Sequence, residues 1–218
     1  MDQKESDVGQ RTAIHEKVLS AQTAEDLNRV YGEWASSYDD DLVTKWNYQG
    51  PTVTIKWVKY HWSDALPCAQ ANVLDAGCGT GLAGLALHGE GFRLIHGLDH
   101  SPDMLDQARA KGVYQSLEQT DLNRPLRTPD NQYDLVTCVG TFTSSHVSPA
   151  ALHELLRITK PGGLVALTVR DTFWDEAAFG EILRQVQVNG TAVLLEMRTE
   201  PYIPTEGSMC KLLVLMAC

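Results

Sequence analysis

The residues whose types and spacing could do chemistry stand together at Val73-Leu74-Asp75-Ala76-Gly77-Cys78-Gly79-Thr80-Gly81. An apolar strand pattern runs straight into three glycines at alternate positions, and a helical pattern follows. Glycine has no Cβ, so the backbone there can turn tightly and let a ligand lie against its N–H groups. Those amides and the helix N-terminus are expected to form a polar cradle. The pattern alone also suits an ordinary βα turn.

A second signal strengthens the first. Asp99 closes the next strand pattern, 20 residues after Gly79, which is the spacing at which an acid meets a ribose in nucleotide-binding βαβ units. A carboxylate can accept hydrogen bonds from both ribose hydroxyls. Ser101 can then cap a helix that has Pro102 at its first position. That arrangement sets Met104 just beyond the acid, where its thioether could lie on an aromatic ring. Two other chemistries fit less well. The hydride-transfer fingerprint G-x-G-x-x-G/A needs a small residue at 82, where Leu82 stands. No G-K-[S/T] closes a phosphate-binding loop either.

These residues need elements to hold them. From residue 71 onward, short apolar runs at 72–76, 93–98, 115–119, 133–139 and 163–169 alternate with helical patterns at 81–89, 102–110, 149–159 and 174–188. Such β-α alternation predicts a parallel sheet covered on both sides, with right-handed crossovers. The end of the chain departs from it. Apolar runs at 191–199 and 209–217 are separated by the seven residues PYIPTEG, too few for a helix, so these strands must pair antiparallel. Ahead of the core, Thr23 and Asp26 form a T-x-x-D cap for a helix carrying Leu27, Val30, Tyr31 and Trp34. Pro51 opens a second helix through Trp62, although the β-branched run Thr52–Ile55 opposes it. Residues 1–22 are read as a flexible tail and 23–218 as one domain. Within that domain, 23–66 supplies helices over the site, 63–70 a linker and 71–218 the core.

At 218 residues, against roughly 150 per domain, one unit with a sizeable core is expected. Eighteen basic and 28 acidic residues leave a net charge of −10, which repels a phosphate backbone and argues against a broad nucleic-acid surface. No apolar run reaches the length of about 18 residues that spans a bilayer, and the polar start MDQKESDVGQRT predicts no secretory signal. Five cysteines form an odd set without a C-x-x-C pair, which suits reduced thiols in the cytoplasm or nucleus. No metal site is expected.

The run D-A-G-C-G-T-G, followed by G-L-D-x-S and x-x-M-L, resembles the first two motifs of the class I, seven-stranded S-adenosylmethionine-dependent methyltransferases. Lys160-Pro161-Gly162-Gly163 is similar to the family's turn before strand five, and Tyr31–Asp39 to its lid helix. More narrowly, residues from about 30 to the end resemble the methyltransferase-like group of the Williams–Beuren syndrome region. The resemblance implies a Rossmann-like three-layer α-β-α sandwich with sheet order 3-2-1-4-5-7-6 and the last strand antiparallel. It also implies S-adenosylmethionine as cofactor, S-adenosylhomocysteine as product and no metal. Carried over by position, Gly77, Cys78, Gly79 and Gly81 would cradle the methionine portion, while Asp75 would orient its ammonium group through water. Asp99 would hold the ribose, and His100 and Met104 would flank the adenine. Thr120, Asp121 and Leu122 would meet the adenine edge. Val139 would approach the methionine moiety, and Trp34 and Tyr38 would close over the site.

A methyl donor that is already activated leaves the protein mainly the task of alignment and water exclusion. If the acceptor is protonated at the attacking atom, His146 in the loop after strand four could serve as a base; an exposed loop histidine with no such role is the plainer alternative. Arg170 after strand five would favour an anionic group. The loop V-G-T-F lacks the N/D-P-P-Y/F box of adenine and glutamine N-methyltransferases, and it has no Pro-Cys nucleophile. The expectation is therefore a monomeric enzyme acting on a small molecule. A non-catalytic cofactor-binding protein and a nicotinamide-dependent oxidoreductase stand as alternatives.

Overall fold

The structure, a computed structural model, describes residues 17–18, 21, 24–143 and 147–218. Thr23 and His146 lie outside the described residues. Seven strands form one sheet: β1 (Asn72–Ala76), β2 (Leu94–Asp99), β3 (Ser116–Gln119), β4 (Tyr133–Phe142), β5 (Thr159–Arg170), β6 (Ala192–Ile203) and β7 (Ser208–Ala217). Their order is β3-β2-β1-β4-β5-β7-β6. The first five pair in parallel, and β7 runs antiparallel to both of its neighbours. This is the expected arrangement. Short parallel runs must be buried on both faces, and in β1 Val73 and Leu74 point to opposite sides, with neither exposed.

Helices cover both faces. On one lie α2 (Gly50–His61) and α3 (Leu82–Gly89), whose Ile55, Val58 and Leu87 pack with Val73, Ile95 and Leu135. On the other lie α5 (Ala151–Arg157), α6 (Asp171–Glu176) and α7 (Phe179–Val188), whose Leu152, Leu155 and Phe179 pack with Leu74, Val136 and Leu167. Each such fully buried side chain contributes roughly 1.5–3 kcal/mol. Packing therefore outweighs the weak helix propensity of Thr52–Ile55, which amounts to tenths of a kcal/mol per residue. Those residues are helical, Ile55 is buried and the Thr54 hydroxyl donates back to the Gly50 carbonyl at 2.7 Å. Between β2 and β3 lies α4 (Pro102–Ala110), capped by Ser101 as expected, whose hydroxyl accepts from the Met104 N–H at 3.4 Å. The first helix, α1 (Ala24–Trp34), leads into a π-helical turn at Asp40–Lys45. Among the described residues no helix is long and apolar enough to cross a membrane.

Three local expectations are corrected. The single helix at 174–188 is two, α6 and α7, broken where Ala178 takes φ +49°. Phe173 and Phe179 are both buried, yet six residues apart they would stand about 120° apart around a continuous helix, and the break lets both reach the core. The turn after β6 is also shorter than expected. Pro201, Tyr202 and Ile203 extend the strand, and only Pro204–Gly207 turns. Proline is tolerated because β6 is an edge strand, and Tyr202 and Ile203 are held by burial against the N-terminal aromatics. Finally, Lys160–Gly163 forms a bulge within β5, since Thr159 pairs with Tyr133 and Leu164 with Leu135.

Candidate functional site

The carboxyl ends of β1, β2 and β4 open into a cavity of about 380 Å³, within the range of small-molecule sites. The glycine loop at the end of β1 forms one wall. Gly77 has φ +71°, and a Cβ there would stand 2.2 Å from the Thr141 Oγ1 on β4. Gly79 has φ +52° with nothing within 4 Å of its would-be Cβ, so its α-carbon offers open space to a ligand. The expectation of free loop amides is corrected, however. Gly77 and Cys78 donate their N–H groups to the Leu98 carbonyl at 2.7 and 2.9 Å, Gly81 donates to the Cys78 carbonyl and Gly79 donates to Asp99. The Gly77, Cys78 and Gly79 amides fasten the loop to β2, and the Gly81 amide closes a turn within it.

Asp99, at the tip of β2, organises the second wall. Its Oδ2 accepts from the Gly79 N–H at 2.7 Å and its Oδ1 from the Ser101 N–H at 2.9 Å. Burial pushes this carboxyl above its ordinary value, while the Ser101 and Gly79 N–H groups pull it back. A carboxylate has about four acceptor positions; the Gly79 and Ser101 N–H groups take two and the His100 N–H also faces the carboxyl, which leaves capacity for a ligand hydroxyl. His100 and the buried Met104 follow it on the cavity wall. Thr120, Asp121 and Leu122 line the same side, drawn there by the Thr120 N–H, which donates to the Asp99 carbonyl at 2.8 Å. Asp121 also accepts from the Asn123 N–H at 2.9 Å, so it shapes its own turn. Val139, Gly140 and Thr141 bring the end of β4 to the cavity.

The N-terminal segment supplies the cover. Tyr31, Tyr38 and Tyr48 line the cavity. Burial raises the Tyr31 phenol to about 12 and lifts those of Tyr38 and Tyr48 well above their usual value, so all three remain neutral donors. Asp39 ties this cover to the loop, accepting from the Thr80 hydroxyl at 2.5 Å and from the Lys111 ammonium. The other N-terminal helix, α2, packs into the core and only its Pro51 reaches the cavity.

Three expected residues stand behind the wall. Trp34 is turned inward, donating from Nε1 to Asp41 at 2.7 Å and packing against Trp46 with ring centroids 5.4 Å apart. It backs Tyr38, at 4.6 Å, and does not line the cavity. Gly81 likewise sits behind the loop, next to Tyr114 and Lys111. Asp75 is fully buried beneath it, accepting from the Tyr114 hydroxyl at 2.7 Å and the Thr137 hydroxyl at 3.1 Å. Burial raises its carboxyl from 3.8 to about 6, with the Tyr114 and Thr137 donors opposing and the Asp99 charge adding. Because the folded value lies above the unfolded one, ionising Asp75 removes stability as the pH rises from about 4 through about 6. Tyr31 and Tyr48 were not singled out from sequence as site residues; the aromatic cluster at 31–48 was their one signal. Among the described residues no group of histidines, cysteines and acids could hold a metal ion.

The methyltransferase domain family matches residues 73–163, the stretch that holds the loop, Asp99 and β4. The chain is 38% identical to human methyltransferase-like protein 27 over 168 residues, which is 74% of this chain and 66% of that protein. It is also 38% identical to the malonyl-[acyl-carrier protein] O-methyltransferase of Serratia marcescens over 96 residues, 43% of this chain and 36% of the other. It thus spans just under two thirds of the human relative and about a third of the bacterial one. In fold it is similar to an S-adenosylmethionine-dependent methyltransferase from Mesorhizobium loti, with a TM-score of 0.55 and 16% identity, covering 74% of this chain and 96% of that one.

Proposed function

We propose that the chain is a class I S-adenosylmethionine-dependent methyltransferase, which binds S-adenosylmethionine in this cavity and transfers the methyl group to a small-molecule acceptor; the matched domain over residues 73–163, the human relative and the shared fold support the reading. The observation that carries the reading is Asp99, anchored by two backbone N–H groups with acceptor capacity to spare, beside a glycine loop that leaves room at Gly79. The cavity fits the cofactor on these grounds. Asp99 would accept from the ribose hydroxyls, Met104 and His100 would bracket the adenine, and Asp121 and Leu122 would meet its edge. Gly77 and Gly79 would give the methionine portion close approach to backbone, and Val139 would bound it from β4.

The bound cofactor supplies a methyl group activated by its sulfonium. The chain's own contribution is alignment and dryness. Tyr31, Tyr38 and Tyr48 cover the cavity, and exclusion of water strengthens every polar contact inside. Holding the acceptor in line replaces a bimolecular encounter with an oriented one, an effect worth up to roughly 7–11 kcal/mol. His146 would take a proton from an acceptor that carries one at its attacking atom. A net charge of −10 and a cavity roofed by its own N-terminal segment favour a small acceptor over a nucleic acid.

Methyl transfer is tested by incubating the protein with radiolabelled S-adenosylmethionine and separate small-molecule, protein and nucleic-acid fractions of a cell extract. Label is expected in the small-molecule fraction, in amounts that scale with protein. Label confined to protein or RNA would overturn the acceptor class, and donor binding without any transfer would favour a non-catalytic role.

A further inference from the structure

Asp75 carries a charge beneath the glycine loop yet faces neither solvent nor the cavity, so what holds it decides how the loop is held. Its principal partner is Tyr114, 39 residues away, which reaches it through a slot cleared by three glycines of three different elements. A Cβ on Gly84 in α3 would stand 2.2 Å from the Tyr114 hydroxyl. One on Gly97 in β2 would stand 3.1 Å from the ring, and one on Gly81 in the loop also 3.1 Å. Glycine is a poor choice in a helix interior or a strand, so a slot built from such positions calls for an occupant. The ring fills it, and the hydroxyl donates to Asp75 Oδ2 at 2.7 Å, while the Thr137 hydroxyl on β4 donates to Oδ1 at 3.1 Å.

We propose that Tyr114 is a positioning residue for the donor site: it fixes the Asp75 carboxylate under the glycine loop, from where its charge acts across the loop on the ammonium end of the cofactor. The proposal rests on the reading of the cavity as an S-adenosylmethionine site. The groups facing Asp75 support it. Tyr114 is itself pushed far above the usual phenol range, first by burial and then by the Asp75 charge, so it always donates. Burial keeps the Cys78 and Cys138 thiols neutral, Cys138 at about 12. The Asp99 charge opposes ionisation of Asp75. Tyr114 and Thr137 are the side-chain donors on the other side of that balance.

Tyr114→Phe keeps the ring and removes the donor. Without it the Asp75 carboxyl protonates more readily, so S-adenosylhomocysteine affinity should fall about tenfold near pH 7. The deficit should shrink as the pH is raised toward about 9, where Asp75 is ionised in both proteins. In the ligand-free proteins, the Asp75 carboxyl resonance should titrate at a higher pH in the variant. A deficit equal at every pH would reduce Tyr114 to packing and overturn the proposal, as would an unmoved Asp75 titration. Should the variant fail to fold, Thr137→Val removes the other donor and must shift the same two readouts in the same direction, or the proposal falls. If the unaltered protein binds no S-adenosylhomocysteine, the reading of the cavity fails and the cofactor half of the proposal with it. The Asp75 titration still decides whether Tyr114 holds that carboxylate.

Discussion

Replacing Asp99 by alanine is expected to weaken S-adenosylhomocysteine binding by at least about a hundredfold. Two losses combine. The ribose hydroxyls lose a charged acceptor, each such hydrogen bond being worth roughly 1.5–3 kcal/mol. The Gly79 and Ser101 N–H groups also lose the carboxylate that now fixes them at 2.7 and 2.9 Å, so the loop and the start of α4 loosen together. Asp99→Asn separates the two losses. Its amide nitrogen cannot accept, so one of the two backbone donors is left without its partner while side-chain size is kept, and an intermediate affinity is expected. Calorimetric titration of variants whose melting curves show them folded makes the measurement. Affinity within a fewfold of the unaltered protein would sink the ribose assignment.

The second large effect is on the fold at the site. Gly77→Ala is expected to destabilise the protein by about 2–5 kcal/mol, the sum of a left-handed backbone penalty of roughly 1–2 kcal/mol and overpacking of roughly 1–3 kcal/mol. The structural grounds are φ +71° together with a would-be Cβ 2.2 Å from the Thr141 hydroxyl oxygen. Melting should drop by roughly 5–15 °C in a chain of this size. Gly79→Ala isolates the backbone part, since nothing lies within 4 Å of its would-be Cβ. It should melt only a few degrees lower and yet lose cofactor affinity, because the new methyl projects into space that the ligand uses. Trimming the obstacle with Thr141→Ala should restore part of the stability lost in Gly77→Ala. No recovery in that double variant would mean that the clash with Thr141 is not the cause.

Much of this site is local in sequence, and that part was legible. The glycine loop, Asp99, Ser101 and Met104 fall within 28 residues, and their order follows from a strand, a tight turn, a helix and a second strand. The sheet order was legible through resemblance and through the two closing strands, whose seven-residue separation left no room for a parallel crossover. The rest is set by contacts distant in sequence. Whether Asp75 faces the cavity or the floor depends on Tyr114 and Thr137, 39 and 62 residues away. Resemblance to a lid helix implied that Trp34 closes the site, but a carboxylate seven residues on, Asp41, turns its indole inward and leaves Tyr31, Tyr38 and Tyr48 to line the cavity. The loop amides were expected to meet a ligand, and the Leu98 carbonyl, whose reach depends on β1–β2 register, takes two of them. Helical periodicity at 174–188 concealed a break that only the shared burial of Phe173 and Phe179 reveals.

Calorimetric titration of the full chain with S-adenosylmethionine and S-adenosylhomocysteine, with NAD as the control, is the most direct measurement. One-to-one binding of both adenosyl compounds at micromolar concentrations is predicted, with no heat from NAD. At about 100 times the dissociation constant, the ligand should also stabilise the fold by roughly 2.7 kcal/mol, seen as a rise in melting temperature. Binding of NAD in their place, or no binding of either adenosyl compound to protein shown to be folded, would contradict the assignment of this cavity.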